Sequence, residues 1–80
     1  MTEELLPSGR DWIAAFAASL GVDAPDDATI VALLALAGTA AHSSERIAAP
    51  IACFLVAQAG IDIERAQTIA SSLTVPVGQD

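Results

Sequence analysis

The chain has no lysine, no tyrosine, one cysteine and three aromatic residues, Trp12, Phe16 and Phe54, in eighty positions. Each shortage removes a class of function. Nucleic-acid binders displace phosphate counterions with Lys and Arg. Three arginines against ten acidic residues, a net charge of −7, cannot supply a basic stripe for a nucleic acid. The same deficit argues against an anionic membrane surface. A lone cysteine allows no internal disulfide and no Cys-rich metal site. Cys53 lies in the most apolar stretch with no cation near it in sequence, so it reads as a small packing residue rather than a reactive thiol. One histidine and one cysteine, eleven residues apart, match no usual zinc spacing. The five glycines are scattered, so there is no phosphate-cradling loop. Asp23, Asp26 and Asp27 lack the alternating oxygen ligands, central Gly and terminal Glu of a calcium loop, and read as a turn and cap. No catalytic residue, metal site or cofactor is expected.

What is present is apolar. Hydrophobic residues make up 54% of the chain, against about 45–50% in ordinary domains. Eighty residues form a single domain, 1–80. Chains of this size bury a limited share of their surface and are often marginal alone. The apolar excess therefore predicts a homodimer or another protein partner. Residues 28–44 and 47–61 carry no charge, and Glu45-Arg46 falls in the connection between them. They fall short of the ~20 mainly apolar residues of a membrane span and are broken by Thr29, Gly38, Thr39, His42, Ser43 and Ser44. They read as core helices, with no membrane role. The first seven residues are acidic, unlike the basic start of a signal peptide, so the expected location is cytoplasmic.

Apolar spacing is helical throughout, and the chain reads as an all-α, small four-helix bundle with short connections. Ser8 caps a first helix over 8–20 with its apolar face at Trp12, Ile13, Phe16, Ala17 and Leu20. Gly21 and Val22 supply the pattern of a Schellman end. Asp26 or Asp27 caps the second helix, in which Gly38 is expected to permit close helix approach. The end of this helix has two readings. Stopping at His42 would let Ser43 or Ser44 cap a third helix, with Pro50 in its interior at a cost of ~3 kcal/mol. Running to Arg46 lets the third helix start near Ala49 with Pro50 in its first turn. The second reading is preferred, giving helices over 27–46, 49–60 and 62–73. The third, Ala48 to Gly60, is apolar on nearly every face and is expected to be central. In the fourth, Ile63, Ala66, Ile69, Ala70 and Leu73 face inward, and Arg65, Gln67, Thr68, Ser71 and Ser72 face out. Residues 1–7 and 74–80 are expected to be mobile ends.

One cluster could bind something. On a continuous second helix, His42 and Glu45 are three residues apart and His42 and Arg46 four, which places them on one face. Such a group could recognise an anionic ligand. Its structural use is plainer: cations at a helix C-terminus meet unpaired carbonyls, with Glu45 neutralising Arg46.

The same segment carries a resemblance. Trp12, then Leu20-Gly21-Val22-Asp23, Leu33-Leu34-x-Leu36-Ala37, Ala41-His42-x-x-Glu45-Arg46-x-x-Ala49-Pro50 and Phe54-Leu55-Val56 resemble a small bacterial domain of unknown function. That domain occurs alone or attached to molybdenum-cofactor guanylyltransferase-like proteins. The likeness covers residues 12–60 and departs from the family pattern at Ile47, often Pro there, and at Ala57, often Gly. It implies a neighbourhood, molybdopterin guanine dinucleotide biosynthesis, rather than an activity. A guanylyltransferase needs a nucleotide fold and phosphate-binding glycines that this chain lacks. The resemblance therefore implies an accessory that docks or dimerises.

Overall fold

A computed structural model describes residues 5–77. Those residues form four helices and no strand: α1 Gly9–Leu20, α2 Asp27–Ser43, α3 Ala48–Ala59 and α4 Ile63–Ser72. Residues 5–8 and 73–77 have no regular secondary structure; the outer parts of the two ends expected to be mobile lie outside the described residues.

Side-chain caps set three of the starts. The Oγ of Ser8 accepts from Asp11 N at 3.0 Å, Asp26 Oδ1 from Thr29 N at 2.8 Å, and Asp62 Oδ1 from Arg65 N at 2.7 Å. Each satisfies an amide that a first helical turn leaves without a partner. Glycine sets two of the ends. Gly21 (φ +80°) and Gly60 (φ +72°) take the left-handed conformation that a Cβ disfavours. At the first, Val22 N donates to Ala17 O at 3.0 Å and Gly21 N to Ala18 O at 3.1 Å. That pair of bonds is the Schellman motif expected there.

The junction of α2 and α3 differs from the preferred reading. α2 stops at Ser43, because Ser44 leaves helical space at φ −151°, ψ −101°. Its Oγ donates back to Ala40 O at 2.8 Å and its amide to Ala41 O at 3.3 Å. The serine side chain thus supplies a local alternative to the next helical bond. A tight turn follows, with Ala48 N donating to Glu45 O at 3.0 Å and Ala49 N to Arg46 O at 3.1 Å. α3 starts at Ala48, which leaves Pro50 in the first turn, where no amide donor is needed. The proline is placed without cost, as expected, although α2 is three residues shorter than its preferred end.

The expected order of importance is also revised. α2 is the central element: α3 and α4 both pack on it, and no comparable packing joins α1 to the other helices. Leu36 on α2 is the most buried side chain, 2% exposed, and Ala17 and Ala66 complete the fully buried set among the described residues. α3 holds no fully buried residue. Its half-buried positions, Ala48, Ala49, Ala52, Cys53 and Val56, follow helical spacing and are mostly small. Its large side chains point the other way: Phe54 is 61% exposed and Leu55 53%. Small residues let α3 approach α2 closely, and the bulky apolar residues are left in solvent. Gly38 does not carry a close approach, since a Cβ there would meet nothing within 4 Å. Gln67, expected to face out, turns toward α2 and donates through Nε2 to Thr39 Oγ1 at 2.8 Å. Its Oε1 is buried and accepts no hydrogen bond.

An ion pair links α1 to α2. Arg10 Nε meets Asp27 Oδ1 at 2.7 Å, the only ion pair among the described residues, with both side chains largely exposed. Exposed pairs of this kind contribute about 0–1 kcal/mol. The contact holds the first turn of α1 beside the first turn of α2.

Candidate functional site

The structure separates the residues the sequence places together. Because α2 ends at Ser43, His42 sits in its last turn while Glu45 and Arg46 lie in the following turn. They do not share a helical face. His42, Glu45 and Arg46 are all exposed. Among the described residues no hydrogen bond or ion pair joins the three. Of the three, only His42 lies in the last turn of α2. Arg46, expected in that last turn, is outside it.

Two hollows adjoin this region. The more open one, lined by Ser44, Glu45, Ile47, Ala48, Ile51 and Val77, is shallow and takes Glu45 but neither His42 nor Arg46 into its wall. The other is a groove of about 550 Å³ between α3, the C-terminal half of α2 and the chain after α4. Ile51, Leu55, Leu73 and Val75 give it its apolar walls, Ala52 and Ala70 form part of its lining, and no charged side chain lines it. Its polar lining is neutral: Thr39, Ser43, Ser44 and Thr74. Such a surface can desolvate an apolar side chain at little polar cost. It offers no counter-charge to an anion.

Other large apolar side chains outside the groove are exposed too. On α1, the rings of Trp12 and Phe16 stack in a tilted pair with centroids 4.9 Å apart, yet stay 55% and 49% exposed. Leu20, Val31, Leu34 and Ile69 are exposed as well. Single exposed apolar residues are ordinary, whereas contiguous large patches mark interaction surfaces.

Electrostatics is local and modest. Hydrogen bonds from the Thr29 amide and side chain hold the Asp26 carboxyl below its ordinary value of 3.8. That is the signature of a carboxylate acting as a cap. Among the described residues, no group of three or more His, Cys, Asp or Glu side chains stands close enough to hold a metal ion. No described helix is long and apolar enough to cross a membrane.

A family profile for a domain of unknown function, DUF6457, matches residues 6–75. The chain belongs to the DUF6457 family. The matched segment spans all four helices and the connections between them. Nothing in that match ties the family to molybdenum-cofactor proteins. No curated protein and no solved structure matches the chain.

The groove was missed in the sequence, although a signal for it exists. Along α3 the half-buried positions 48, 49, 52, 53 and 56 are small except for Val56, and 51, 54 and 55 are large. Sorting that helix by side-chain size, rather than by polarity alone, separates a face for close packing from a face for a bulky contact.

Proposed function

We propose that this DUF6457 domain is a non-enzymatic helical interaction and dimerisation module, whose apolar groove and α1 stripe take a protein surface. The observation that carries this reading is the inversion on α3: small residues face the chain's own helices, and Ile51, Phe54 and Leu55 face solvent. Burying a large apolar side chain stabilises by about 1.5–3 kcal/mol. Three such residues left open on one helix represent an unused driving force that a partner surface can engage. The resemblance over residues 12–60 supports an accessory role beside molybdenum-cofactor (molybdopterin guanine dinucleotide) biosynthesis, where the partner would be a protein of that assembly.

The competing use, an anionic ligand held by His42, Glu45 and Arg46, makes opposite demands. It needs Arg46 aimed into a concavity, and Arg46 lines neither hollow described above. One experiment separates the two. Tagged full-length chain, its Leu55→Asp variant and its Arg46→Ala variant are used to capture proteins from the native host. The module loses its partner with Leu55→Asp and keeps it with Arg46→Ala. Partner loss confined to Arg46→Ala would transfer the function to the polar cluster. Recovery of a molybdenum-cofactor guanylyltransferase with the wild type supports the accessory role, and its consistent absence from a specific partner set counts against it.

A further inference from the structure

We infer that residues 73–77 form a strap that closes on the bulky face of α3 and competes with the protein partner for Ile51 and Leu55. The inference rests on the interaction reading above and supplies its regulation. Three observations carry it.

The first is the pattern of the segment. Leu73-Thr74-Val75-Pro76-Val77 holds no charge. Leu73 leaves helical space at φ −70°, ψ 132°, and Pro76 biases the residue before it toward an extended backbone. Along an extended chain every second side chain faces the same way. Leu73, Val75 and Val77 therefore make one apolar edge.

The second is placement. Leu73 and Val75 line the groove together with Ile51 and Leu55. Val77 lines the neighbouring hollow together with Ile47 and Ile51. Ser44, Ala48 and Ile51 border both. The segment thus runs from the end of α4 toward the start of α3, with its apolar edge set opposite the large residues of that helix.

The third is the gap between them. Leu73, Val75 and Val77 on one side and Ile47, Ile51 and Leu55 on the other are each more than half exposed. The groove leaves about 550 Å³ open. Apolar walls that face each other across water gain by meeting, because the area they cover leaves water. Among the described residues no hydrogen bond joins Thr74, Val75 or Pro76 to α3. The last bond of α4 is Leu73 N to Ala70 O at 3.3 Å, so closure needs only rotation about the backbone beyond it. A partner that uses Ile51 and Leu55 must find the strap open, and its apparent affinity is reduced by the open fraction.

Two measurements on the full-length chain test this. In a Cys53→Ser background, Leu55→Cys is combined with Val75→Cys and oxidised in dilute solution. A disulfide needs Cβ atoms about 3.5–4.5 Å apart, so closure is read as a crosslink within one chain. Glu64→Cys with Val75→Cys, which puts one cysteine in the first turn of α4, is the control and should stay reduced. The second measurement is binding of Nile red, an uncharged apolar dye, to a chain carrying Val75→Asp and Val77→Asp. The dye should bind this variant about twofold or more tightly than wild type, as for a strap closed in half of the molecules or more. Helix content by circular dichroism should be unchanged; Val75→Ser with Val77→Ser serves if the aspartates disturb the fold. A Leu55–Val75 cysteine pair that crosslinks no faster than the control overturns the closure. Weaker dye binding by the strap variant overturns the competition, since Val75 and Val77 would then hold an occupant rather than exclude one. Neither readout involves the partner, whereas the interaction reading is judged by capture with Leu55→Asp, so the two failures are distinguishable.

Discussion

Leu36 and Leu55 are the same residue type on neighbouring helices, and their truncation should cost very different amounts. Leu36 is 2% exposed at the centre of α2, the helix on which α3 and α4 both pack. Leu36→Ala removes buried methyl groups and leaves a cavity, a change worth about 2–5 kcal/mol in well-packed sites. A domain of this length has a total stability of about 4–12 kcal/mol, so the loss is a large share. At about 4–8 °C per kcal/mol for small domains, Tm should fall by about 8 °C or more. Leu55 is 53% exposed, so within one chain its truncation forfeits only about half of the ~1.5–3 kcal/mol of full burial. If a second copy covers it, the cost of Leu55→Ala grows as protein concentration rises, because binding to the folded state adds to stability by mass action. The assay is urea denaturation followed at 222 nm, at two protein concentrations about a hundredfold apart. A loss below ~1 kcal/mol for Leu36→Ala would refute the placement of the core on α2. A larger loss for Leu55→Ala than for Leu36→Ala in dilute solution would return α3 to the centre.

Four further outcomes are expected. Gly60→Ala forces a Cβ into the left-handed region at φ +72° and should cost about 1–2 kcal/mol; an unchanged denaturation midpoint would contradict the cap. Arg46→Ala should leave stability within about 0.5 kcal/mol of wild type, as for exposed residues with no special contact; a drop in Tm of 10 °C or so would show a structural bond. Gln67→Met loses the bond to Thr39 but also removes a buried acceptor without a partner, so it should be neutral to within ~1 kcal/mol, and a loss above ~2 kcal/mol would mean that Oε1 is satisfied in solution. For Asp26 the sign follows from its lowered pKa: its stabilisation is present above the ordinary value of 3.8 and is lost as pH falls through the lower folded value. The Tm difference between wild type and Asp26→Ala should therefore be constant near neutrality and shrink in strong acid, and a difference that grows on acidification would refute the capping account.

Local chemistry made much of the helical outline legible without coordinates. Caps are short-range: Ser8, Asp26 and Asp62 each bond an amide three residues on, and Gly21 and Gly60 end helices through a single residue's backbone freedom. Such signals lie within a few positions, so sequence alone carries four helices and most of their ends. The α2–α3 junction required the tertiary structure because two local rules competed. The proline rule favoured the longer α2, but it constrains only where α3 starts, and the Ser44 hydroxyl bonding back to Ala40 O goes with the shorter helix. Which helix is central was also decided only by packing. α3 is the more uniformly apolar, but composition does not say which face meets which neighbour, and the pairing of small residues on α3 with α2 put Leu36 inside and Phe54 and Leu55 outside. The candidate cluster depended on the same boundary: three residues of helix more or less decide whether His42 and Arg46 share a face. Apolar excess was a property of the chain and predicted a missing surface. Where the exposed apolar residues lie, Ile51 and Leu55 along a groove and Trp12 and Phe16 on α1, was decided by tertiary packing, because burial depends on which face of each helix meets its neighbours.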